Sequence, residues 1–189
     1  MGKIGIVMAT YNGERYLPEM LDSLVAQKRP ADFIVVVDDG SKDSTPEILK
    51  SYENRLPLQI TILPQNMGHR AAFSKALELA RPQLGEDDLI ALADQDDIWL
   101  PQKFEILENA IETAEPGKNK PDLVFGDAEV VDSDGKTIGN SWRQIGRHYP
   151  EPFAQGASHR LYQRHGMHDT LQGEPPPQNP AHPRKDSRP

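Results

Sequence analysis

Phe33-Ile34-Val35-Val36-Val37-Asp38-Asp39-Gly40-Ser41-Lys42-Asp43-Ser44-Thr45-Pro46-Glu47 decides the fold of this chain. The apolar run from Phe33 to Val37 makes a buried strand, and the acidic turn Asp38-Asp39-Gly40-Ser41 ends it. Ser44 followed three residues later by Glu47 has the spacing of a capping box. Pro46 lies inside the first turn, where its missing N–H costs nothing, so a helix over Pro46 to Tyr52 follows. This is half of a crossover unit, and the same alternation extends both ways. Upstream, Ile4 to Ala9 reads as a buried strand, and Leu17, Met20, Leu21, Leu24 and Val25 form one helix face. Downstream come a strand over Leu58 to Leu63, a helix over Arg70 to Ala80, a strand over Leu89 to Ala93, and a helix over Pro101 to Thr113 opened by its proline. Leu123 to Phe125 starts a fifth strand, and Asp134-Gly135, between Val130-Val131 and Lys136 to Ile138, supplies a hairpin turn. The expected fold is α/β, a mainly parallel sheet flanked by helices.

Composition bounds the rest. The chain has 189 residues, 21 Lys plus Arg against 29 Asp plus Glu, a formal charge of −8 and no cysteine, which excludes a disulfide scaffold, a thiolate zinc site and a cysteine nucleophile. No apolar stretch reaches the roughly 18 residues of a membrane span, and Lys3 to Met8 reads as strand rather than signal peptide. The expected location is the cytoplasm, with room for peripheral contact at the inner face of the cell membrane. The acidic balance disfavours nucleic acid as a partner.

Residues 151–189 differ from the body: they hold 7 of the 17 prolines and 4 of the 6 histidines, and no Val or Ile. Such a segment buries too little apolar surface to offset its ordering entropy. The expected organisation is therefore one domain over 1–150 and a disordered Pro/His-rich tail over 151–189.

In an open parallel sheet, ligands bind beyond the carboxyl ends of the strands. Three of those ends are polar: Ala9-Thr10-Tyr11-Asn12-Gly13, Asp38-Asp39-Gly40-Ser41 and Asp94-Gln95-Asp96-Asp97. Five acidic residues thus converge on one rim, and their repulsion calls for a cation or hydrogen-bond donors. Asp is also an ordinary turn residue, but two clusters with Asn66-Met67-Gly68 between them point to a site. Gly-x-Gly-x-x-Gly is absent after the first strand, which disfavours a dinucleotide-binding dehydrogenase, and Gln59 to Pro64 has no Asp to accept a phosphoryl group as a receiver domain would.

Met8-Ala9-Thr10-Tyr11-Asn12-Gly13, Val37 to Thr45, Asn66-Met67-Gly68 and Asp94-Gln95-Asp96-Asp97-Ile98-Trp99-Leu100-Pro101, in this order, resemble the nucleotide-sugar domain of family 2 glycosyltransferases over about residues 3 to 145. The Asp-Gln-Asp-Asp-Ile-Trp form is most similar to bacterial rhamnosyltransferase-like members that build surface polysaccharides. The resemblance implies a GT-A fold, an inverting transferase, a UDP- or dTDP-linked sugar donor, a glycan or lipid-linked acceptor, and Mg2+ or Mn2+. It implies Asp96 at the metal, Asp94 near the ribose or metal, and Asp39, beside Asp38, accepting hydrogen bonds from the base. Ala9 and Tyr11 would form the base wall. Asn66 and Gly68 would bring backbone close to the nucleotide, and Arg70 would offer a cation to the pyrimidine or phosphate, unless it is a solvated surface cation. His69 reads as a first-turn residue, and Trp99 as an anchor of its loop or a wall facing the sugar. The chemistry agrees: a departing diphosphate develops charge that a hard cation stabilises, and such a cation needs only one or two protein carboxylates.

The family's acidic general base and Gly-Cys-Thr-like acceptor segment are not recognisable after Arg147, so the catalytic base is unassigned. Met167-His168-Asp169 resembles a His-Asp base segment only superficially, since no tryptophan follows. Residues 156–166 can be encoded by DNA that, read one nucleotide later, spells Val-Arg-His-Thr-Gly-Cys-Thr-Ser-Ala-Met. A truncated or frameshifted reading frame is therefore expected. Two classes follow: a sugar transferase, or a non-catalytic nucleotide-sugar-binding fragment.

Overall fold

The computed structural model describes residues 2–113, 123–132, 135–142 and 159–162. Its first sheet holds β1 (Ile4–Thr10), β2 (Phe33–Asp38), β3 (Leu58–Ile62) and β4 (Leu89–Asp94) in the order β3-β2-β1-β4, all parallel. The expected α/β architecture is present. β1 and β2 are buried along their whole length, as central strands covered on both faces must be.

Period-two alternation sends their side chains to two cores. Ile4, Ile6 and Met8 join Ile34 and Val36 beneath α1 (Leu17–Val25), which contributes Leu17, Met20, Leu21 and Leu24, and α2 (Thr45–Ser51), which contributes Leu49. Val7, Ala9, Val35 and Val37 face α3 (His69–Ala80), which presents Ala72, Ala76 and Ala80 at four-residue spacing. Small side chains there let the helix lie close to the sheet. Ile34 is fully buried at the centre of the first core. Ile34→Ala is expected to cost about 2–5 kcal/mol of stability, read by urea unfolding, because the cavity it opens relaxes only partly.

The strand order places a topological switch point. The chain leaves β1 toward β2 and β3, then returns across the sheet through α3 to β4 on the other side of β1. The connections beyond β1 and β4 diverge, and the crevice they leave at the carboxyl ends is where such folds bind ligands.

Several boundaries differ from the sequence reading. The Ser44–Glu47 capping box does not form: Ser44 makes no side-chain cap bond. Instead the Thr45 amide donates to Asp43 Oδ1 at 3.0 Å and the Ser44 amide to Glu14 Oε2 at 3.1 Å. Acceptors from the preceding turn and from the β1 loop have taken the role. α4 (Lys103–Thr113) begins two residues after Pro101. Leu123 to Phe125 is irregular, with Leu123 exposed, and pairing begins only at β6 (Ala128–Val131), because a three-residue apolar run says nothing of where a partner lies. β7 (Thr137–Gly139) pairs antiparallel with it across the expected hairpin, whose Gly135 has φ 78°.

Two short strands, β5 (Asp97–Trp99) and β8 (His159–Tyr162), fall where the sequence reads as strand-end loop and as tail. Both enter a second sheet of order β5-β8-β6-β7, in which β8 pairs antiparallel with β5 and parallel with β6. That sheet therefore draws strands from both sides of position 150. The remainder of 151–189, including Asp169, lies outside the described residues.

Candidate nucleotide site

The loops after β1, β2 and β4 meet at the switch point, and backbone needs explain much of their chemistry. Asp38 is fully buried, its carboxylate accepting from Thr10 Oγ1 at 2.9 Å, the Ser41 amide at 2.9 Å and the Ser41 hydroxyl. Asp39, 2% exposed, accepts from the amides of Met67 at 2.7 Å and Gly68 at 2.9 Å. Charge-assisted bonds of this kind make buried carboxylates tolerable. Two of the five carboxylates expected on the rim are thus turned inward. Asp38 ties β1 to β2, while Asp39 holds the loop before α3. A carboxylate has further lone pairs, so Asp39 keeps acceptor capacity.

Asp97 is buried as well, and the desolvation, followed by the nearby Asp94 charge, pushes its carboxyl up to about 8 against the opposing pull of Lys103. Burial of Lys103 lowers its ammonium to about 8, with Asp97 acting in the other direction. Lys103 also lies over the Trp99 ring, 4.1 Å from its centroid, and Trp99 packs edge-on against Phe104. Trp99 is 2% exposed and donates its amide to Ser23 Oγ, while Gln27 Nε2 donates to the Leu100 carbonyl at 2.9 Å. Of the two readings of Trp99, the structure supports loop anchoring. The carboxylates left toward solvent are Asp94, with its side chain 56% exposed, and the half-buried Asp96.

Gln95 was not anticipated. It is buried, and its amide spans the Tyr11 peptide unit: the Tyr11 amide donates to Oε1 at 2.8 Å, and Nε2 donates to the Tyr11 carbonyl at 3.1 Å. Among uncharged side chains an amide suits this role, since it donates and accepts at once. Its place between two aspartates was the available signal. Gly13 stands where a Cβ would meet Gln95 Oε1 at 2.5 Å, so any larger residue would have to push the Gln95 amide from its place. Gln95→Leu is expected to leave both Tyr11 groups unpaired and to cost roughly 1–3 kcal/mol for each group kept from water, measured by thermal unfolding.

The remaining candidates divide. Tyr11 is 41% exposed at the rim, whereas Ala9 is buried against α3. Asn66 Oδ1 accepts from the Gly68 amide at 3.1 Å, and Gly68, with φ 91°, caps α3 in a conformation that favours glycine. Arg70 is exposed, with no side-chain partner among the described residues. His69, read as a plain first-turn residue, has Nε2 3.4 Å from Asp94 Oδ1.

Among the described residues no group of three or more His, Cys, Asp or Glu is placed to hold a metal ion. The hard oxygen donors of Asp94 and Asp96 suit a Mg2+ or Mn2+ that takes most of its shell from phosphate and water.

A switch-point crevice bordered by carboxylates, a tyrosine and a helix start is the place where an α/β domain of this topology binds ligands. The family model described as glycosyl transferase family 2 matches residues 5–171, and the chain belongs to that family. An uncharacterized glycosyltransferase of Nostoc sp. is 28% identical over 137 residues, covering 72% of this chain and 39% of the relative. The dTDP-rhamnosyl transferase RfbG of Shigella flexneri is 35% identical over 127 residues, covering 67% of this chain and 40% of that protein. The crystal structure of S. aureus TarS 1-349 in complex with UDP superposes with a TM-score of 0.59 at 26% identity, covering 79% of this chain and 38% of that one. The chain spans about two fifths of the length of the curated relatives it matches. Among the described residues no helix is long and apolar enough to cross a membrane.

Proposed function

We propose that this chain binds a UDP- or dTDP-linked sugar at the β1/β4 switch point and serves its transfer, with inversion, to a glycan or lipid-linked acceptor of a surface polysaccharide. Asp94 and Asp96 at the β4 end, with Tyr11 exposed on the neighbouring loop, carry the reading. The family membership supports it, as do the UDP bound in the TarS structure and the dTDP-rhamnosyl activity named for RfbG. Rhamnose is accordingly the first sugar to test.

Asp96 would hold a Mg2+ or Mn2+, which when bound supplies charge stabilisation to the departing diphosphate. Tyr11 would pack on the base and Asp94 would accept from the ribose. Asp39 would act chiefly by holding the Asn66–Gly68 loop, with Asp38 joining β1 to β2 beneath it. Arg70 would meet the phosphate or pyrimidine from the start of α3. Work at the inner face of the cell membrane suits a lipid-linked acceptor.

The second reading is a nucleotide-sugar-binding domain that does not itself transfer the sugar. A panel of UDP- and dTDP-linked sugars tests the main one. Release of nucleoside diphosphate from one or a few donors, stimulated by metal, is expected, and release from none refutes transfer by this chain.

A further inference from the structure

We infer that His69 is a positioning residue of the donor site, acting through Asp94; the inference rests on the donor-site reading above. Asp94 ends β4 in register beside Ala9 of β1, so its carboxylate stands at the switch point itself. It is the most exposed of the motif's carboxylates, and one left to itself there would sample several rotamers. His69 Nε2 faces its Oδ1 at 3.4 Å. In the tautomer that carries its proton on Nε2, the imidazole donates to this oxygen. The imidazole is supported from its own helix by Phe73, edge to face with ring centroids 4.8 Å apart.

The backbone beneath His69 is fixed too. The preceding residue, Gly68, donates its amide to Asp39 at 2.9 Å, so Asp39, Gly68, His69 and Asp94 form one line of contacts from the end of β2 to the end of β4. The two acidic motifs, 55 positions apart between Asp39 and Asp94, are thereby coupled across the rim. With Oδ1 engaged by His69, the second oxygen of Asp94 is presented for a ribose hydroxyl. His69 therefore acts on nucleoside affinity through the Asp94 oxygen offered to the ribose.

Calorimetry on the full 189-residue chain in Mn2+ tests this with UDP, dTDP and pyrophosphate as probes. The His69 side chain is 70% exposed, so its variants are expected to fold. His69→Ala is expected to raise the nucleotide Kd about two- to fivefold, as loss of one exposed polar contact does, and to leave pyrophosphate affinity unchanged. His69→Gln, which keeps a side-chain N–H donor, should recover most of the loss. In an Asp94→Ala background, His69→Ala should add nothing. Unchanged nucleotide affinity in His69→Ala, an equal loss for pyrophosphate, or failure of Gln to rescue would each overturn the proposal. A wild-type chain that binds neither UDP nor dTDP would overturn the donor-site reading and this inference together. Wild-type binding undisturbed by His69→Ala would overturn this inference alone.

Discussion

Asp96→Ala is expected to weaken metal-dependent binding of a nucleoside diphosphate by about 100-fold or more, since even outer-shell partners of a metal are worth roughly 10- to 100-fold. Asp38 and Asp39 are spent on amides and hydroxyls, and Asp97 is buried with its carboxyl raised to about 8 beside Lys103. Asp94 has its Oδ1 toward His69. Asp96, half-buried at the turn between β4 and β5, offers a hard oxygen ligand beside Asp94. Loss of the free Mn2+ electron-paramagnetic signal on adding UDP reads the effect directly. Asp39→Ala should behave differently: freeing the Met67 and Gly68 amides loosens the loop before α3, so nucleoside affinity falls while the metal requirement stays.

The second large effect concerns transfer. Moving a sugar to a hydroxyl needs departure of the diphosphate, which a cation at Asp96 would assist, and removal of the acceptor's proton by a positioned base. General-base assistance is worth about 100- to 10,000-fold. The 189-residue chain is expected to bind donor yet turn over slower by about that factor than a version whose frame is shifted by one nucleotide after Gln155. Codons that spell Gly-Cys-Thr in the shifted frame are compatible with residues 156–166, and they would place that segment across the positions of β8. Paired assays of donor binding and product formation on both chains measure it. Full activity in the 189-residue chain, abolished by Asp169→Asn, would contradict the expectation and make Asp169 the base.

The sequence reading recovered the first sheet because its signals are local. Ile4 to Ala9 and Phe33 to Val37 are unbroken apolar runs, as strands buried on both faces require. It missed β5 and β8 because strands of three and four residues carry no periodicity of their own and exist through pairing across about 60 residues of chain. It placed the acidic motifs at the correct strand ends and called for a cation or hydrogen-bond donors there, without saying which carboxylates meet donors. Whether a carboxylate faces ligand or backbone depends on which amides arrive opposite it, and those of Met67 and Gly68 lie 28 and 29 positions from Asp39. The Gln95 bridge to Tyr11 and the His69–Asp94 contact are hidden for the same reason. The capping box failed more locally: Asp43 and Glu14 offered nearer acceptors than Ser44 and Glu47.

The most direct test of the central claim is calorimetric titration of the 189-residue chain with UDP and with dTDP, in Mg2+ or Mn2+ and again in EDTA. Saturable binding of at least one nucleotide that disappears with the metal is predicted. Equal affinity with and without metal, or no binding of either nucleotide, would contradict a metal-assisted donor site at the β1/β4 switch point.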